Sequence, residues 1–286
     1  MANLYIIGNG FDIMHSLETR YYDFKNYLMT YHKSEYDILN NYFGNNYGTD
    51  ENMLWSAFEA GLAMLNVDKI NDDNNIWDVD MLVGKMKIIN DLFLEYFKII
   101  DKKLTKSEIK HILIFKDDDL FFSFNYTNLL EEKYNVKKQN VMHIHNHIDE
   151  EMEILDAMCN ENNYRLIVGH QKMDSYSNDE FGRFLKESEK PIDLIIKTNE
   201  NYFDSLPKKI DKVIFIGFSY NEIDLPYIEK LKSKTNKDTN WIFTYYSDND
   251  YSNSKNYILK LNLCNTMCNL ININDFIKKQ AKLLSC

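Results

Sequence analysis

The strongest constraint in this sequence is a recurring one: short, mostly apolar runs, each broken by glycine or a polar cluster, with stretches of helical period between them. Leu4 to Ile7 is the first run and stops at Gly8-Asn9-Gly10. After Asp117-Asp118-Asp119 such runs return at Leu120 to Phe124, Val141 to Ile144, Leu166 to Val168, Val213 to Ile216, Trp241 to Tyr245 and Asn269 to Ile273. Apolar runs without polar alternation are strands buried on both faces. Segments of helical period, Ile192 to Leu206, Ile223 to Lys234 and Phe276 to Leu284, separate several of them. Strands alternating with amphipathic helices predict an α/β fold with a mostly parallel sheet covered on both sides.

Between the first and second runs the period changes. From Ile13 to about Ile114 apolar residues recur at three and four spacing, as in Met53-Phe58-Leu62-Leu65 and Val83-Met86-Ile89-Phe93-Phe97, which is the pattern of amphipathic helices. The sequence therefore predicts a helical insertion over residues 21–114, after the first strand, within one domain spanning residues 1–286. Asp72-Asp73-Asn74-Asn75 reads as a loop inside that block. Nine Gly and three Pro leave little material for linkers, while 20 Tyr and 17 Phe supply apolar area for a core.

Charge and cysteine usage narrow the function classes. Thirty-three Lys plus Arg stand against 44 Asp plus Glu, a net charge of −11, which repels phosphate backbones and argues against a nucleic-acid binder. Arg20, Arg165 and Arg183 are the only arginines, so the bidentate forks of phosphate and base readout are scarce. The opening MANLYIIGNGFD has no basic region ahead of its apolar run and no small-residue cleavage site, unlike a signal peptide. No stretch reaches the roughly 18 apolar residues of a membrane span. Cys159, Cys264, Cys268 and Cys286 have no framework spacing, which fits a reducing cytoplasm. Cys264 and Cys268 share a helical spacing, but without a second pair they read as plain thiols rather than a metal site.

In an open parallel sheet, ligands bind beyond the carboxyl ends of the strands. The residues there are distinctive: Gly8-Asn9-Gly10-Phe11-Asp12, Ser123-Phe124-Asn125-Tyr126-Thr127-Asn128, His143-Ile144-His145-Asn146-His147, Gly169-His170 and Gly217-Phe218-Ser219 with Asp224. They point to one shared pocket. Gly8 and Gly10 allow backbone to approach a pyrophosphate, although Ile13 stands where the dinucleotide fingerprint has its third glycine. Asn125 offers a donor and an acceptor to a ribose hydroxyl or a water, and Thr127 or Asn128 can cap the following helix. His143, His145 and His147 carry three readings: a metal site, completed by His170 or Asp149; satisfied structural histidines; or a general base or ribose ligand. At Gly217, Ser219 and Asp224 a ligand-binding turn competes with an ordinary capped helix start.

As an ordered set, these motifs resemble the bacterial AbiH family of phage abortive-infection proteins, from residue 4 to about 228. The same order resembles the sirtuin-like NAD-consuming domains of phage defence, and the resemblance implies a Rossmann-like core. It further implies that NAD or a related nucleotide is substrate or ligand, with no metal. Asn125 would orient the nicotinamide ribose and the attacking water, and His145 would be the general base. Gly8, Asn9, Gly10, Phe11, Asp12, Tyr126, His143, His170, Gly217, Phe218, Ser219 and Asp224 would line the cofactor site. Asn146 stands in place of the glycine expected after His145, and Thr127 in place of the Asp expected after Asn-Tyr. The paired Cys-x-x-Cys zinc module of the deacylases is missing, which favours hydrolysis or binding of the nucleotide. A non-catalytic nucleotide sensor, with a homo-oligomer or a defence-system protein as partner, is the alternative, and metal-dependent hydrolase or nuclease chemistry ranks third.

Overall fold

The structure, a computed structural model, describes residues 2–42, 58–62, 79–109, 112–148, 166–176, 180–263 and 268–283. Six strands form one open sheet: β1 (Ala2–Ile7), β2 (Leu120–Ser123), β3 (Val141–His143), β4 (Ile210–Ile216), β5 (Asn240–Tyr245) and β6 (Cys268–Asn272). Their order is β3-β2-β1-β4-β5-β6, with every pairing parallel. This is a Rossmann-like α/β fold. The chain winds outward from β1 to β3 and then restarts on the other side at β4, so the β1/β4 junction is the topological switch point.

β1 sits at the centre because both of its faces are apolar. Tyr5 and Ile7 join Phe121, Ile214, Ile216, Leu129, Leu130, Ile273 and Phe276 in one core cluster. Leu4 and Ile6, one residue out of phase, face the opposite side with Phe122, Val213 and Phe215, all fully buried. Removing one such side chain from water contributes about 1.5–3 kcal/mol. A polar substitution on either face of β1 is therefore costly.

The expected strands are found within three residues at each end, except one. Leu166–Val168 is irregular backbone, and His170 makes only an isolated bridge to Glu189. Three apolar residues are too few to commit the chain, and Gly169 is pressed against the backbone of Ser188 and Lys190, where an added Cβ would meet their atoms at 2.7–2.8 Å. Between β1 and β2, the described residues form helices at Tyr21–Tyr31, Lys33–Tyr42, Phe58–Leu62 and Val79–Lys106. The Asp72–Asn75 loop and the Cys264–Cys268 pairing fall wholly or partly outside the described residues.

The chain divides into two compact units, one of residues 1–17, 101–147 and 191–286, the other of residues 18–100 and 148–190. The sheet lies in the first. The second has an aromatic core in which Phe24 meets Phe93 and Tyr96 at ring-centroid distances of 5.1 and 5.6 Å. Its Lys190, almost wholly buried, pairs with Glu59 at 2.7 Å. No described helix is long and apolar enough to cross a membrane.

Candidate functional site

Register decides which residues meet. Ile7 is paired with Ser123 and with Ile216, and Ser123 with His143, so β1 to β4 end in one row. The first residue beyond each strand continues the ladder: Gly8 N donates to Ile216 O at 3.0 Å, Phe124 N to Ile7 O at 2.9 Å and Ile144 N to Ser123 O at 3.0 Å. The turns carrying the glycines, Asn125 and the histidines therefore emerge side by side from one sheet edge.

The glycines are needed for each other. Gly217 has φ +61°, and a Cβ there would lie 2.2 Å from Phe11 N and 2.4 Å from the Gly10 carbonyl carbon; a Cβ on Gly8 would lie 2.6 Å from Gly217 O. Gly10 N donates to Gly217 O at 2.8 Å. The Gly8 and Gly10 amides are engaged by β4 and its turn. The close approach is between two backbones of the protein. The outward-facing polar residues of the two turns are Asn9 and Ser219, both exposed.

Beneath them lies a buried polar cluster. Asp12, 1% exposed, accepts from Asn125 Nδ2 and from Thr127 Oγ1, each at 2.8 Å. Burial pushes the Asp12 carboxyl up to about 7, against the opposing pull of the Thr127 and Asn125 hydrogen bonds and the nearby His143. Asn125 N donates to Ser123 Oγ at 3.1 Å. Its Oδ1 is buried and, among the described residues, has no hydrogen-bond partner. Because Nδ2 is committed to Asp12, the carboxamide is oriented and presents one acceptor.

The histidines divide by environment. β3 ends at His143, and Asn146 takes φ +63°, so the alternation that would align three rings on one face stops. His143 Nδ1 meets Asn125 O and its Nε2 meets Glu131 Oε1, both at 3.0 Å. His147 stacks on it with centroids 4.2 Å apart. His145 instead sits among aromatic rings, 5.4 Å from Phe124, 5.6 Å from Tyr227 and 6.4 Å from Tyr126. His143 is thus engaged at both ring nitrogens by Asn125 and Glu131, while His145 lies in an aromatic surround.

The family model for bacteriophage abortive infection AbiH matches residues 4–245. The chain belongs to the AbiH family. That span covers the first five strands and every motif named above, and it makes the chain a bacteriophage abortive-infection protein. No match was found among curated proteins.

The other expected site residues of this AbiH-family chain have varied surroundings. Phe11 is fully buried against His15, Phe115 and Tyr134, and Phe218 packs on Phe124, Phe215 and Tyr257. Both are core residues beneath their turns. Asp224 is buried at the N-cap of the helix Leu225–Lys234. His170 belongs to the second compact unit, its two ring nitrogens 2.7 and 2.8 Å from the Gln171 and Leu185 carbonyls. Of the two residues the sequence offers as cap for the helix Leu129–Tyr134, Asn128 holds the N-cap position and Thr127 turns to Asp12. Sequence reasoning passed over Glu131.

Proposed function

We propose that this abortive-infection protein hydrolyses NAD at the nicotinamide N-glycosidic bond when infection activates it. The observation that carries the reading is the Asp12–Asn125 hydrogen bond, which leaves Asn125 Oδ1 as a buried, oriented acceptor at the carboxyl edge of the sheet. Such an acceptor suits a ribose hydroxyl. Two departures from the sirtuin-like pattern have compensating features. Asn146 adopts the left-handed φ that glycine takes easily and Asn tolerates. Asp12 brings a carboxylate to Thr127, where the pattern would have its own Asp.

In this reaction the C1′–N bond breaks with its electron pair passing to the pyridinium ring, and water forms the new bond to C1′. Oxocarbenium character develops on the ribose and nicotinamide leaves neutral, so positioning matters more than a strong acid. Asn125 holds the ribose and the water. His145 takes the proton the water loses. Asn9 and Ser219, exposed on neighbouring turns, contact the rest of the nucleotide.

The test is incubation of purified protein with NAD, alone and with phage-infected lysate, followed by chromatography. Equimolar nicotinamide and ADP-ribose, lost in Asn125→Ala, supports the reading. NAD bound without turnover under both conditions would replace it with a non-catalytic nucleotide sensor, and stoichiometric metal with hydrolase or nuclease activity would favour the metal-dependent alternative.

A further inference from the structure

Four polar groups of Asn125 are available for hydrogen bonding, and three are fixed by three different elements. Its amide N donates to Ser123 on β2, its Nδ2 to Asp12 after β1, and its carbonyl O faces His143 Nδ1 on β3. We propose that Glu131 and His143 form a charge-paired brace for Asn125, with His143 a fixed imidazolium and Glu131 a positioning residue for the reaction proposed above, on which this inference rests.

The protonation state follows from the partners. A backbone carbonyl and a carboxylate are both acceptors, so hydrogen bonds at both His143 nitrogens require a proton on each. The alternative, a neutral ring accepting from a protonated Glu131, is disfavoured: although burial raises the Glu131 pKa, the hydrogen bond and charge of His143 outweigh it and hold the carboxyl below its usual range. Both side chains are at least nine-tenths buried, 4% and 10% exposed, so the pair is little screened by solvent. The charged groups facing His143 are Glu131 and, by its field, Asp12; His147 stacks on the ring. An imidazolium with both N–H groups engaged has no lone pair to accept a proton. His143 is therefore excluded as the general base, and that role falls to His145 within the same segment.

The brace also explains the spacing of the motifs. Glu131 lies in the first turn of Leu129–Tyr134, the helix that follows the Asn-Tyr-Thr segment, so one short stretch supplies both Asn125 and the anion that anchors its support. Loss of that anion would remove one of the two anchors of the His143 ring and let the Asn125 carbonyl move.

The deciding measurement is the ¹⁵N and ¹H ring signature of the histidines in the full chain, with His143→Gln assigning the resonance. In wild type at pH 7, both His143 nitrogens are expected to carry protons, since each faces an acceptor, and Glu131→Gln to lose one. A wild-type His143 with one unprotonated nitrogen near pH 7 overturns the proposal. In parallel, Glu131→Gln is expected to lower kcat for nicotinamide release about ten- to a hundredfold, the cost of a hydrogen bond to a charged group, with Glu131→Asp recovering part of it. Unchanged kcat in a folded Glu131→Gln also overturns the positioning role. If no variant or wild type releases nicotinamide, the NAD reading fails by itself, and the ring spectra still decide the brace.

Discussion

The Asp12 carboxylate, in the short helix Gly10–Met14 that follows β1, accepts a 2.8 Å hydrogen bond from the Asn125 carboxamide, 113 residues further along the chain. Parallel pairing of β1 with β2 makes this contact, because Ile7 and Ser123 share a register position and the turns beyond them start level. Two motifs that look independent in the sequence are thus halves of one buried unit, and the predictions below take that unit apart.

Asp12 makes stability pH-dependent. Its folded pKa is raised to about 7 from 3.8, so the folded protein holds a proton that the unfolded chain has released. Its contribution is full below the unfolded pKa and is lost as pH rises through the folded one. Wild type should therefore lose on the order of 2–3 kcal/mol relative to Asp12→Asn between pH 5 and pH 8. Urea unfolding of both proteins at the two pH values measures this; parallel pH profiles would show that Asp12 is not the titrating group.

Thr127→Val keeps the shape of the side chain and removes the donor to Asp12 Oδ2. A buried carboxylate oxygen left without that partner costs about 1–3 kcal/mol. Thr127→Ser, which keeps the hydroxyl, should recover most of it. Equal denaturation midpoints for the Val and Ser variants would mean that the hydroxyl contributes nothing.

Much of this architecture is legible in the sequence. The unalternating runs such as Leu4–Ile7 identify buried parallel strands, and the three-and-four spacing of Ile89, Phe93 and Phe97 marks the helix Val79–Lys106. The polar strand ends identify the edge where Asp12, Asn125 and His143 gather. Leu166–Val168 misleads because local apolarity says nothing about whether a sheet has room for it. The engagement of Gly8 and Gly10 by Gly217 is illegible for a related reason: a glycine allows close approach without saying to what, and the partner lies more than two hundred residues away. Glu131 is hidden because a Glu in a first helical turn is already explained by the helix dipole.

Gly217→Ala tests the interlock of the turns. The substitution puts a methyl group 2.2 Å from Phe11 N at φ +61°, combining overpacking with backbone strain. A loss of about 3 kcal/mol or more is expected, read by thermal melting. A variant that melts with wild type would mean that the two turns separate at little cost.

The final prediction concerns chemistry. Removing a general base typically lowers a rate by about two to four orders of magnitude, so His145→Ala should cut nicotinamide release by that much, and Asn125→Ala should do the same by loosening the ribose. His145 is buried against Phe124, Tyr126 and Tyr227, so truncation to Ala also leaves a cavity. His145→Gln, closer in size and unable to take a proton at neutral pH, separates the two effects. Activity lost in both His145 variants while His145→Gln melts near wild type supports proton transfer by His145. Activity retained in His145→Gln assigns the ring to packing and leaves Asp12, with its carboxyl pKa raised to about 7 and its bond to Asn125, as the next group to test as proton acceptor.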